Sequence, residues 1–113
     1  MRADLGMSPG KIASQAGHAF LGAFLLCRDV RILGDYHKEF PQSPGTKVCL
    51  AVRNLAELLR VEEAALLACI STFRVVDSGC ENFFGGRPTI TALGLGPATK
   101  TQIHRIIKKL QLL

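Results

Sequence analysis

Three polar side chains recur at helical spacing in an otherwise apolar segment near the start of the chain. Lys11, Gln15 and His18 stand at positions i, i+4 and i+7, so a helix places all three on one face. An ammonium, a carboxamide and an imidazole beside a core need partners or a cleft, because burying such groups alone is costly. The spacing therefore predicts either a functional cluster or the solvent-facing side of an amphipathic helix.

A carboxylate at the end of a predicted strand is the second candidate for chemistry. Asp77 closes a predicted buried strand, Arg74–Val76, and is followed by Ser78 and Gly79. An aspartate in such a position can act as a general base or orient one. Aspartate before Ser-Gly is also common in turns that only end a strand. The residues alone leave both interpretations open.

A helix is predicted to carry the first cluster. Ser8 is a suitable N-cap, and Pro9 fits the first helical position because its missing N–H costs nothing there. The helical pattern then runs from Lys11 to about Cys27, with small and apolar residues all round the axis. We therefore expect this helix to be buried on most of its circumference.

The rest of the chain alternates between helical and strand patterns. In order, we predict a short amphipathic helix over 30–40, a strand over 47–52, a helix capped by Asn54 from Leu55 to about Cys69, strands over 73–76 and 89–95, and a helix opened by Pro97. Residues 1–7 are expected to hold the end of a truncated first core strand. This order predicts an α/β fold: one three-layer domain over residues 1–113, with a mixed, roughly four-stranded sheet and helices on both faces.

The charge balance points to an anionic partner. The chain has 113 residues and a net charge of +5, from 14 Lys and Arg against 9 Asp and Glu, which suits either a nucleic acid or a membrane surface. The basic side chains gather in two places, after the first helix (Arg28, Arg31, Lys38) and in the last one (Lys100, Arg105, Lys108, Lys109).

Cysteine usage and hydropathy give a compartment. The four cysteines form no C-x-x-C pair, and the three histidines are not at zinc-finger spacing from them, so no metal is expected. Apolar surroundings for Cys27, Cys49 and Cys69 fit a reducing environment. A run of about 18 apolar residues and a signal-peptide pattern are both missing. We expect a cytoplasmic protein with no membrane partner.

Several motifs together resemble one family. The segment 4–19, DLGMSPGKIASQAGHA, is similar to the D-L-x-M-x-x-G-K-x-A-x-Q-x-x-H-A opening of the type-two (archaeal and eukaryotic style) peptidyl-tRNA hydrolases. Asp77-Ser78-Gly79 resembles that family's D-A-G segment, and 89–97 resembles its T-v-l-a-I-G-P segment. The closing residues 110–113 resemble its L-k-L-L end. The matches follow the family's order along nearly the whole chain.

The resemblance implies an enzyme of translation. Such hydrolases cleave the ester between a peptide and the terminal ribose of tRNA, without metal or cofactor, and release peptide and free tRNA. Asp77, alone or with His18, would orient water, while Lys11 would stabilise negative charge on substrate or phosphate. The residues carried over are Lys11, His18 and Asp77 as catalytic and Gln15, Gly79 and Glu81 as substrate-binding.

One departure from the family keeps other functions open. The family continues D-A-G with x-T-Q, whereas this chain has Cys80-Glu81-Asn82, so a second carboxylate replaces a hydroxyl. This change favours a non-catalytic tRNA- or protein-binding module, or a hydrolase of another ester or amide. The intact cluster in the first helix favours the enzyme, and a generic basic domain is the fourth alternative. An exposed sheet edge beside the truncated strand would also allow a homodimer.

Overall fold

Helices and strands alternate along residues 1–78 and 84–113, the part of the chain that the computed structural model describes. The helices are α1 (Pro9–Leu26), α2 (Val30–Glu39), α3 (Leu55–Leu67) and α4 (Lys100–Ile107). The strands are β1 (Leu50–Ala51), β2 (Thr72–Asp77), β3 (Thr89–Leu95) and β4 (Gln111–Leu112), and a 3-10 turn spans Ala3–Leu5. The predicted α/β class is confirmed.

Side-chain caps fix the starts of the first and third helices as predicted. Ser8 Oγ accepts a hydrogen bond from the backbone N–H of Lys11 at 3.3 Å, and Pro9 occupies the first turn. Asn54 Oδ1 accepts from the backbone N–H of Glu57 at 3.0 Å. Each cap satisfies an N–H that the first turn of a helix leaves without a partner.

The last helix begins three residues later than predicted. Pro97 does not open it, because Thr99 is the N-cap and forms a reciprocal capping box with Gln102. The final residues also leave the helix, since β4 pairs antiparallel with β1.

Strands β2 and β3 form an antiparallel hairpin, and its pairing is irregular near the end where the two strands are connected. In the β2–β3 pair, Val75 lies opposite Ala92, but the next residue, Val76, lies opposite Ile90. Thr91 is therefore an extra residue on β3, a β-bulge. Bulges bend a strand and redirect a side chain that regular alternation would place on the other face.

Residues 1–3 join the two antiparallel ladders into one mixed arrangement. The Arg2 N–H donates to the Thr91 carbonyl of β3 at 3.0 Å. On the other side, the Val52 N–H donates to the Met1 carbonyl and the Ala3 N–H to the Val52 carbonyl, both at 2.9 Å. The four strands thus form two ladders with this segment, the N-terminal seam, between them.

The helices cover opposite faces of the β2–β3 hairpin. Ala19 of α1 packs with Val75 and Ala92 in the buried core. Arg74, the neighbour of Val75 in β2, points the other way and pairs with Glu62 of α3. Helices therefore lie on both faces, as the element order predicts.

The contact between α1 and the hairpin is close enough to require glycine. A Cβ on Gly94 would lie 2.0 Å from the Ala19 carbonyl oxygen, and one on Gly22 would lie 2.2 Å from the Phe73 ring. Real Cβ atoms do not come this near to backbone, so Gly94 sets how closely α1 approaches the sheet.

The prediction that α1 is buried on most of its circumference is wrong. Its buried residues are Gln15, Ala19 and Ala23, a single line at helical spacing. Leu21 and Leu25 on its outer side are 58% and 70% exposed. An apolar helix is buried only where another element covers it, and the hairpin covers one face.

The buried side of α3 does not follow hydropathy alone. Leu58 and Ala65 are buried, whereas Leu66 and Leu67 are exposed. Glu62 is buried, and its carboxylate accepts three hydrogen bonds from the Arg74 guanidinium at 2.6–2.8 Å.

Candidate active site

The first turns of α1 lie against the end of β2, and three of the predicted residues meet there in one hydrogen-bonded cluster. Lys11 Nζ donates to Asp77 Oδ2 in an ion pair, and Gln15 Nε2 donates to the same oxygen at 3.4 Å. The side chains of Asp77 and Lys11 are 9% and 16% exposed. A carboxylate with little solvent and an ammonium partner forms a strong charge-assisted bond.

Thr91 completes this network, and sequence reasoning missed it. The bulge in β3 turns its side chain toward α1, where Oγ1 donates to Gln15 Oε1. Both side chains are almost fully buried, so the hydroxyl holds the carboxamide in one orientation. The available signal was a hydroxyl within the apolar run 90–95, but threonine is an ordinary strand residue.

An aromatic side chain borders the ion pair. Phe84 follows the undescribed residues 79–83, and its ring centroid lies 5.8 Å from Lys11 Nζ. A cation at this distance over a ring gains from the ring's negative face. No sequence pattern predicts this contact, so sequence reasoning missed it as well.

His18 does not join the network in this structure. It lies about 10 Å further along the helix axis than Lys11, is exposed, and makes no hydrogen bond to Asp77 within the described residues. The two remaining predicted residues, Gly79 and Glu81, lie outside the described part of the chain.

The network can perform acid–base chemistry on a bond placed beside it. Asp77 can take a proton or orient water, and Lys11 supplies a positive charge next to it. Gln15 and Thr91 hold the carboxylate in position without themselves carrying charge. Reactions that need an activated water and a stabilised oxyanion, such as ester hydrolysis, fit these groups.

Comparison with known proteins decides the family. The family model described as peptidyl-tRNA hydrolase PTH2 matches residues 1–113. This chain belongs to the peptidyl-tRNA hydrolase PTH2 family. It is similar to the peptidyl-tRNA hydrolase of Methanopyrus kandleri, with 36% identity over all of this chain and 93% of the relative. It is also similar to that of Methanothermobacter thermautotrophicus, with 37% identity over all of this chain and 95% of the relative.

A eukaryotic relative extends the likeness. The probable peptidyl-tRNA hydrolase 2 of Drosophila melanogaster is 30% identical over all of this chain, which spans 59% of that protein. Membership of the PTH2 family thus agrees with the resemblance drawn from the motifs.

Three further findings concern the residues of this PTH2 chain that the structure describes. Within residues 1–78 and 84–113, no group of three or more His, Cys, Asp or Glu side chains is close enough to hold a metal ion. None of the described helices is both long enough and apolar enough to span a membrane. Cys27, Cys49 and Cys69 are free thiols.

Proposed function

We propose that this chain hydrolyses the ester bond of peptidyl-tRNA, releasing the peptide and free tRNA. The observation that carries the proposal is the buried network in which Lys11 and Gln15 both donate to Asp77. Its curated relatives are named as peptidyl-tRNA hydrolases, and none of those reported above is named as a binding module.

The reaction proceeds through attack of water on the ester carbonyl. The Asp77 carboxylate orients the water and accepts its proton as the oxygen bonds to the carbonyl carbon. The negative charge that develops on the carbonyl oxygen is stabilised by the Lys11 ammonium. The bond from carbon to the ribose oxygen then breaks, and that oxygen receives the proton. Atoms and charges balance with water as the only co-reactant.

The other predicted residues receive roles on the substrate. His18 is exposed on the same helix as Lys11, so we assign it to contact with the substrate rather than to the water. Gly79 and Glu81 follow Asp77 in the chain, and we assign them to substrate contact as well. Gln15 acts through Asp77, whose oxygen it holds.

Two conservative substitutions test the chemistry. We expect Lys11→Met and Asp77→Asn each to lower kcat for a blocked peptidyl-tRNA by about 100-fold or more, the range typical of a lost base or oxyanion partner. Arg53→Met and Glu57→Gln are matched controls, because this ion pair at the start of α3, with 3.3 Å between its charged atoms, lies on the helix across the hairpin from α1. Wild-type rates in both site variants would contradict the catalytic roles of Lys11 and Asp77. Binding of tRNA without turnover by the unmodified protein would favour a binding module.

We also propose that the protein is a homodimer through the outer face of α1. Leu21, Leu25 and Leu26 are each more than half exposed there, and contiguous apolar surface of this kind often marks an interface. Sedimentation of the unmodified protein should give twice the mass of one chain, and Leu25→Glu should give the mass of one chain. Leu66→Glu, on the exposed surface of α3, should leave the mass at that of two chains. A monomeric unmodified protein contradicts the dimer.

The substrate gives the compartment. Peptidyl-tRNA is made during translation, so we propose that the protein acts in the cytoplasm. Cell fractionation that recovers it with membranes or outside the cytosolic fraction would contradict this.

A further inference from the structure

The bulge that directs Thr91 is itself held by another residue. Arg2 Nη1 donates to the Ile90 carbonyl at 3.0 Å, and the Arg2 backbone N–H donates to the Thr91 carbonyl at 3.0 Å. Arg2 therefore donates to the carbonyl of Thr91, the residue that the register shift leaves unpaired, and to the carbonyl of Ile90 directly before it. A bulge disrupts the regular ladder, so its carbonyls need partners from elsewhere.

The guanidinium of Arg2 is fixed by a second contact. Its Nη2 and Nε donate to the two carboxylate oxygens of Asp4 at 2.7 and 3.1 Å, a fork that leaves Nη1 for Ile90. The hydrogen bonds from Arg2 lower the pKa of Asp4, because they stabilise the charged form of its carboxylate. The Arg2 side chain is 13% exposed, so its guanidinium is directed into the protein and not into solvent.

We propose that Arg2, oriented by Asp4, is a positioning residue for hydrolysis: it clamps the β3 bulge and so keeps the Thr91 hydroxyl on Gln15. This inference rests on the proposed function, since Gln15 matters through its bond to Asp77. The connection runs from Asp4 to Arg2, across two carbonyls to Thr91, and through Gln15 to the reacting carboxylate. Each step from one residue to the next is a hydrogen bond given above. Arg2 itself contacts neither Asp77 nor Lys11.

The test compares two arginines that both pair with carboxylates. Arg2→Met removes the guanidinium that holds the two carbonyls but keeps the aliphatic part of the side chain. Arg53→Met is the control, because Arg53 pairs with Glu57 on the surface at the start of α3. We expect Arg2→Met to lower kcat about fivefold to tenfold with KM within about twofold, equivalent to about 1–1.4 kcal/mol in the barrier. Arg53→Met should leave both constants unchanged.

Two readouts separate positioning from general loss of structure. In a Thr91→Val background, Arg2→Met should cause no further fall in kcat, because the hydroxyl it positions is already gone. The methyl resonance of Thr91 should move in Arg2→Met and stay in place in Arg53→Met. If Arg2→Met does not fold, Asp4→Asn is the milder variant, and we expect a twofold to threefold fall in kcat with the same shifted resonance.

Several results would overturn the proposal. Unchanged kcat in a folded Arg2→Met protein, an equal loss with and without Thr91, or a change in KM alone would each do so, the last because it indicates a phosphate contact. If the unmodified protein shows no turnover, the proposed function fails. The Thr91 resonance still reports whether Arg2 holds the bulge in that case.

Discussion

Gln15 is the residue through which the two halves of the site communicate. Its oxygen accepts from Thr91 on β3, and its nitrogen donates to Asp77 on β2. A carboxamide has one acceptor end and one donor end, so fixing the first determines the second. The donor therefore always meets the carboxylate, which is what a site requires if Asp77 is to stay in one place.

The hydroxyl of Thr91 should matter more than its shape. We expect Thr91→Val, which keeps the volume, to lower kcat about tenfold, because the freed carboxamide can turn its oxygen toward Asp77. The same change should lower the free energy of unfolding by about 1–3 kcal/mol, since a buried acceptor loses its donor. Steady-state kinetics and denaturant unfolding measure the two effects.

Thr89 provides the control on the same strand. Its hydroxyl donates to the Arg87 carbonyl at 3.0 Å in an exposed turn, so Thr89→Val should leave kcat unchanged. Equal losses in the two variants would mean that β3 responds to any lost hydroxyl, and Gln15 would have no special part.

Some site residues could be predicted from type and position, and others could not. Lys11 and Asp77 attracted attention because charged groups beside apolar runs need an explanation. Thr91 and Arg2 act through a register shift in the hairpin, and strict two-residue alternation puts the Thr91 side chain on the wrong face. Phe84 lies near Lys11 from the segment between β2 and β3, and the sequence of that segment has no periodicity that would predict the contact.

At the scale of elements, the site depends on how closely α1 lies on the hairpin. Small residues on both surfaces permit this, with Ala19 and Ala23 of α1 facing Gly94 of β3. The same helix carries Lys11 and Gln15, so its height above the sheet sets their distance from Asp77. Packing and chemistry are therefore coupled along one helix.

A methyl group at the contact should affect stability and activity together. We expect Gly94→Ala to destabilise the protein by about 1–3 kcal/mol, because its Cβ would overlap the Ala19 carbonyl and displace α1. The melting temperature should fall, and kcat should fall with it as the Gln15 bond to Asp77 lengthens. Thermal unfolding and kinetics below the transition provide the measurements.

Gly17 on the same helix gives the opposite expectation. It is exposed and a Cβ there has nothing within 4 Å, so Gly17→Ala should raise stability by about 0.5–1 kcal/mol through helix propensity. If Gly94→Ala were as stable as the unmodified protein, α1 would have to lie further from the sheet than the structure shows.

The elements themselves were largely predictable, whereas what covers them was not. Caps at Ser8 and Asn54 and the apolar run of β3 are local signals, and the helices and the strand they predict are present. The exposed Leu25 and the buried Glu62 depend on tertiary neighbours, a hairpin on one face and Arg74 on the other. The sequence gives the polarity of each side chain, but whether that side chain is buried depends on the neighbours that pack against it.

For the whole molecule, the two basic clusters lie on different sides. α4 packs against α3, on the face of the hairpin opposite α1, and Lys108 and Lys109 follow its last residue directly. α2 follows α1 directly, and the rings of Phe24 and Tyr36 bring the two helices together at 5.3 Å. The basic cluster near α2 therefore lies beside α1, the helix that carries Lys11 and Gln15.

We expect tRNA binding to depend on the α2 side. The double variant Arg28→Gln/Arg31→Gln should make log Kd about 1–2 units less steep against log salt concentration, because each lost phosphate contact removes just under one unit. Lys108→Gln/Lys109→Gln changes the net charge equally and should leave the slope as it was. Binding titrations at several salt concentrations measure both, and a larger effect from the α4 variant would place the RNA on the opposite face.

The N-terminal seam has a consequence for the order of assembly. Arg2 and Ile90 are 88 positions apart in the chain, so joining them closes one of the longest loops the molecule contains. The β2–β3 hairpin needs far shorter closures, and we expect it to form early, with the seam docking last. A chain halted before docking would hold formed helices and a formed hairpin and yet be inactive, since nothing would pin the bulge. Enzymatic activity would then appear late in refolding, after most of the secondary-structure signal measured by circular dichroism.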